Sequence, residues 1–178
     1  MQASGSNAMV ERMIGVARLD VPTYEAIERD TTALPPAMIV VALAAVAGGI
    51  GSIGDEGGVG LIGGIIGSVV LWAIFSAVAF FVGTRLLASA ATSSSWQEVA
   101  RTLGFAYTPS LLAVFGFIPV LGGLLALVGF VWFLITATIA LRQSLDMSTG
   151  RAIATAVISF IPAALVAGII LRLFGIGG

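Results

Sequence analysis

Residues 102–119 read TLGFAYTPSLLAVFGFIP, and the number of times this chain crosses a membrane turns on them. In a strand of a soluble domain the run would carry a proline that cannot donate to a sheet ladder. In a membrane helix it puts Tyr107, Thr108 and Pro109 where unpaired polar groups are costly. Composition decides between the two. Of 178 residues, 58% are hydrophobic and 10% are charged, against about 25% charged in a soluble domain. The chain reads as a membrane protein, and the quoted run as one of its crossings.

Crossing the hydrocarbon takes about 20 mostly apolar residues in a helix, because each backbone polar group must be bonded within the segment. Around the quoted run, whose apolar part is about Leu103 to Phe117, four further segments fit: Leu34 to about Ser52, Val59 to about Leu87, Leu121 to Leu141 and Ala152 to Phe174. The second is longer than one crossing needs and is expected to tilt or protrude. Pro119 to Gly123 is all that separates the third from the fourth, so those two are expected as a tight helical hairpin. The fold class expected is all-α, a polytopic bundle of five transmembrane helices over residues 34–178.

Ahead of the bundle, Val10, Met13, Ile14 and Ala17 recur at helical spacing with Glu11, Arg12 and Arg18 on the other face. A second short helix is expected after Asp20, with Pro22 in its first turn and Tyr24 and Ile27 three apart. Residues 9–33 are thus assigned to amphipathic interfacial helices on the cytoplasmic side, and residues 1–8 to a disordered tip or an expression scar. The opening residues lack the features of a signal peptide, so the first span is expected to insert directly. Ser95 and Glu98 have capping-box spacing, which starts the third helix near Trp96, before its apolar run.

Orientation follows arginine, since cytoplasmic loops are enriched in basic residues. Arg12, Arg18 and Arg29 precede the first span, Arg85 and Arg101 flank the loop after the second, and Arg142 and Arg151 flank the loop after the fourth; Arg172 alone falls on the other side. The N-terminus is expected in the cytoplasm and the C-terminus outside.

Several chemistries are excluded or weakened. Without cysteine or histidine there is no disulfide, no thiol and none of the usual zinc ligands, so neither a metal nor a cofactor is expected. All eight basic residues are arginines, and a net charge of −1 offers no field for nucleic acid. No ionisable residue lies deep within a span, which argues against a pump, a proton-coupled carrier and an intramembrane hydrolase. GVGLIG, Gly58 to Gly63, has dinucleotide-loop spacing but lacks the strand before it and the acid beyond it. Those glycines make better sense as packing. Gly60 with Gly64 and Gly63 with Gly67 are small residues four apart, and Gly122 with Gly129 lies on a small face of the fourth span; such faces let helices approach, within one chain or between two copies.

Two places carry candidate contacts. With Arg101 at the cytoplasmic face, Tyr107 lies six residues or about 9 Å further in, the depth of an aromatic-belt residue. Pro109 cannot donate to the carbonyl of Phe105 and pushes Thr108 from helical dihedrals, so a kink is expected. Thr108 is expected to bond back to the Gly104 carbonyl, with a hydroxyl, water or neighbouring helix taking that of Phe105. The alternative to a belt is therefore a polar notch, Gly104, Phe105, Tyr107, Thr108 and Pro109, accepting a lipid headgroup, a solute or a partner helix. In RQSLDMSTGR, Arg142 and Arg151 either set topology and cap helices or hold an anionic headgroup.

The order of LDVPTYEAIERD, TLGFAYTPSLL, FIPVLGG and ALRQSLDMSTGRAI resembles the Yip family, multipass proteins named for interaction with Ypt and Rab GTPases. Gly104, Phe105 and Pro109 match that family's glycine, aromatic and proline pattern. The resemblance implies a cytosolic N-terminus, five helices and a non-enzymatic role in trafficking, membrane shape or complex assembly. The acidic, aromatic DLYGP phrase of eukaryotic members is absent, so binding of a Rab-type GTPase is not carried over. A short chain without lysine looks prokaryotic, which places it in a cell membrane. The function expected is non-enzymatic scaffolding or organisation of membrane components, with lipids, other membrane proteins or a second copy as partners. The alternative is a small-solute channel or facilitator whose path passes the third helix.

Overall fold

The computed structural model describes residues 5–51, 58–90 and 92–173. Its described residues form seven α-helices: α1 (Gly5–Ala17), α2 (Val21–Arg29), α3 (Leu34–Gly51), α4 (Gly58–Phe81), α5 (Trp96–Ala106), α6 (Leu121–Ser144) and α7 (Thr149–Leu173). A π turn, Val82–Leu86, extends α4, and a 3₁₀ segment, Thr108–Phe117, follows α5. The fold is all-α, and the protein is a membrane protein. Four segments are long and apolar enough to cross: Leu34–Gly51, Ile62–Leu86, Leu121–Ser144 and Thr149–Ile170. Leu103–Phe117 is not among them, because its helical conformation changes partway and neither piece is a full span. The first helix begins at Gly5, inside the stretch assigned to a tip.

The surface helices obey their sequence signals. Asp20 caps α2, its carboxylate accepting from the Thr23 amide at 3.2 Å, and Pro22 occupies the first turn. Ser95 and Glu98 form the reciprocal capping box of α5, with bonds of 3.3 and 2.8 Å. Arg12 pairs with Asp30 at 2.5 Å and ties α1 to the end of α2. The two helices cross at Gly15, where an added Cβ would run into the Thr23 side chain.

Glycine lets the bundle close. The 3₁₀ segment lies between α3 and α6 and packs closely on both. Gly51, Gly116 and Gly122 bring three backbones together where α3 ends and α6 begins, and the expected packing glycine Gly129 presents its Cα to the carbonyl of Pro109, which a Cβ would meet at 2.9 Å. Gly64 is uncovered within this chain. A Cβ there would meet nothing within 4 Å, and Gly64 and Gly67 line a gap of about 330 Å³ against Ala164, Ala167 and Gly168 of α7. The helix pair splays at that end instead of interlocking. The α4 residue Gly63 is half-buried, whereas the surroundings of Gly60 lie outside the described residues.

Between the 3₁₀ segment and α6 the chain reverses within a γ-turn. Val120 has φ 66° and ψ −54°, the Leu121 amide donates to the Pro119 carbonyl at 2.7 Å, and the Val120 side chain is 93% exposed.

Candidate functional site

The run that opened the question breaks at Tyr107. Ala106 is the last α-helical residue, and from Thr108 the backbone continues as 3₁₀ helix, starting with the Ser110 amide to the Tyr107 carbonyl at 2.9 Å. The expected kink in a continuous α-helix is therefore corrected to a change of helix type. Three carbonyls lose their usual i+4 donors near this switch, and each has a substitute. Gly104 accepts from the Tyr107 amide at 3.3 Å. Phe105, deprived by Pro109, accepts from the Thr108 hydroxyl at 2.7 Å; the expected acceptor was Gly104. Ala106 accepts from the Thr136 hydroxyl of α6 at 2.8 Å. Each of these three carbonyls therefore has a donor, as a buried backbone acceptor requires.

The remaining notch residues pack. Gly104 faces Ala37 of α3, whose Cβ would lie 2.7 Å from a Cβ added at Gly104. Phe105 is fully buried and Pro109 is buried too. Tyr107 is half-buried, its ring tilted by 51° on that of Phe133 with centroids 4.6 Å apart. Its hydroxyl makes no hydrogen bond among the described residues. That ring forms part of the floor of a cleft of about 450 Å³ between α6 and α7, with Phe75 of α4 beside it. The cleft walls are Phe133 and Ala137 on one side and Ala156 on the other, and its surface is almost entirely apolar.

Sequence reasoning treated Arg101 as a topology marker; the structure gives it a further job. Its side chain is buried on α5, with Nε donating to the carbonyl of Ile27 at 3.0 Å and Nη2 to that of Glu28. It thereby caps the C-terminal end of α2, where cationic donors are favoured. The Glu98 carboxylate stands 3.7 Å away. The indole of Trp132 likewise donates to the carbonyl of Ala17 at 3.0 Å, at the end of α1, and Gln143 reaches Glu25 at 3.4 Å. Arginine and tryptophan beside an apolar run were visible signals, but their partners lie more than seventy residues away in sequence.

Charges cluster around this junction. Burial, then the carboxylates of Asp146 and Glu98, raises the pKa of Glu28. Asp30 goes the other way, to about 2, because the Thr32 hydroxyl and then the Arg12 guanidinium bond its ionised form. Burial also raises Tyr24, whose hydroxyl donates to the Val16 carbonyl at 3.1 Å. Of the two candidate headgroup arginines, Arg151 donates to the Ala88 carbonyl at 3.1 Å. Arg142 uses Nε on the Gln143 side chain at 3.0 Å, while its terminal nitrogens have no partner among the described residues. Arg142 and Arg151 thus share no hydrogen-bond partner among the described residues. Among the described residues no three side chains are grouped to hold a metal.

A family model described as the Yip1 domain matches residues 20–171, from the cap of α2 almost to the end of α7. No curated protein and no solved structure matches.

Proposed function

Because the chain belongs to the Yip1 domain family, we propose that it is a non-catalytic organiser of other membrane proteins in the cell membrane of a prokaryote. The bundle crosses five times, with the N-terminus in the cytoplasm and the C-terminus outside. Helix type supports the fifth crossing. Leu103–Phe117 as α-helix would reach only about 22 Å, but with its 3₁₀ part rising about 2.0 Å per residue it reaches about 27 Å, close to the roughly 30 Å of hydrocarbon. Arginine placement supports the orientation.

One observation carries the functional reading: α1 and α2 form a platform fastened to the cytoplasmic end of the bundle by Arg101, Trp132 and Gln143, yet Val10 and Ile14 of α1 stand 48% and 47% exposed. A rigidly held apolar face is suited to a partner of the membrane interface. The interior favours no solute path. Trp72, Phe105, Leu103 and Leu141 fill it, and the hydroxyls of Ser76, Thr102 and Thr136 are spent on helix carbonyls. Rab-type GTPases are not among the partners proposed.

In-cell photo-crosslinking tests this directly. A photoreactive aromatic in place of Ile14 is expected to yield a discrete protein adduct, either another membrane protein or a second copy. Lipid adducts alone, or none, would sink the organiser reading.

A further inference from the structure

We propose that the cleft between α6 and α7 holds one acyl chain of an anionic phospholipid from the cytoplasmic leaflet, with Arg142 at its headgroup. The leaflet assignment rests on the orientation proposed above; the cleft and its charge do not.

The cleft has a floor and a rim of different character. Phe75 and Ala137 are buried at its base with the Tyr107 ring, whereas Phe130, Val157, Phe160 and Ile161 are 57%, 63%, 58% and 65% exposed at its edge. In a bilayer an exposed apolar rim of this kind faces acyl chains, which makes lipid the occupant already present. Thr138 contributes no free donor, because its hydroxyl is spent on the Leu134 carbonyl at 2.8 Å. The volume of about 450 Å³ falls in the range of small-molecule sites.

Charge and length select the class of lipid. Leu134, Thr138 and Arg142 follow one another at four-residue spacing, so Arg142 stands one turn beyond the cleft on the same stripe of α6. Its terminal nitrogens have no carboxylate partner among the described residues. Asp146, one turn further on, acts on Glu28 and makes no ion pair with Arg142. From Arg142 to Phe130, at the far end of the cleft, α6 rises about 18 Å, close to one leaflet of a roughly 30 Å hydrocarbon core. A basic group over an intramembrane cleft on the cytoplasmic side is the arrangement that selects anionic headgroups. A neighbouring helix would fill the cleft but leave the guanidinium without its anion.

The test uses the purified full chain in detergent with phosphatidylglycerol or phosphatidylcholine added, read by native mass spectrometry. Phosphatidylglycerol should be retained about fivefold better, and Arg142→Gln should bring the ratio to near one while leaving phosphatidylcholine retention unchanged. Ala156→Phe, which fills the cleft, should lose both lipids. Equal retention by the unsubstituted chain, or full retention by a folded Ala156→Phe protein, would overturn the proposal. Should Ala156→Phe not fold, phosphatidylglycerol with a photoreactive acyl chain decides without any variant. Adducts concentrated on the peptides around residues 130–138 and 153–161 support the site, and adducts spread evenly over the lipid-facing helices refute it. None of these readouts involves a protein partner, so their failure leaves the crosslink from position 14 standing, and the reverse holds as well.

Discussion

The Thr136 hydroxyl donates to the Ala106 carbonyl at 2.8 Å, joining the middle of α6 to the last residue of α5 where the helix changes type. The same oxygen lies 2.9 Å from the Phe133 carbonyl and 3.2 Å from that of Trp132 in its own helix. One small side chain thus fills an acceptor that the 3₁₀ continuation leaves empty.

Thr136→Val keeps the shape and removes the donor. The expected loss is about 0.5–2 kcal/mol in a reversible unfolding measurement in mixed micelles. Restoration by Thr136→Ser but not by Thr136→Ala would assign the effect to the hydroxyl.

Arg101→Met removes the guanidinium donors from the carbonyls of Glu28 and Ile27, of which Ile27 keeps the Asp30 amide at 3.3 Å. A cost of about 2–4 kcal/mol is expected. It should appear locally, as faster proteolysis of residues 5–30, before it appears as loss of the bundle.

Val120 occupies a positive-φ position that a β-branched residue adopts only under strain. Because its side chain is 93% exposed, Val120→Gly sacrifices almost no packing and should stabilise the protein by about 1 kcal/mol. A lower melting temperature for this variant would count against the γ-turn.

Glu28 sets the sign of a pH effect. Its folded-state pKa lies above the ordinary 4.5, so the folded form favours the protonated carboxyl and that contribution is lost as pH rises through the raised value. Glu28→Gln should therefore protect α2 from hydrogen exchange better than the unsubstituted protein does at neutral pH. The difference should vanish toward and below pH 4.5, where both side chains are neutral.

Most of the helices were legible because each follows from local chemistry. Asp20 and Ser95 cap where their spacing says, and the four long apolar segments announce themselves by length. The site was less legible. Tyr107, Thr108 and Pro109 mark a disturbed helix, but one proline predicts a kink and a 3₁₀ continuation equally well. The outcome depends on Gly104 against Ala37, Gly129 against Pro109 and the Thr136 hydroxyl, all contacts between segments.

Sequence by itself determined that this chain belongs in a membrane, where its short helices begin and which chemistries it lacks, since composition, capping and residue inventory are local properties. Only the tertiary structure decided what Arg101 and Trp132 bind, how the carbonyls around Pro109 are satisfied and that α6 and α7 part to form a cleft. Those depend on which backbones approach one another across dozens of residues, and without water in the bilayer every displaced hydrogen bond must find its partner there.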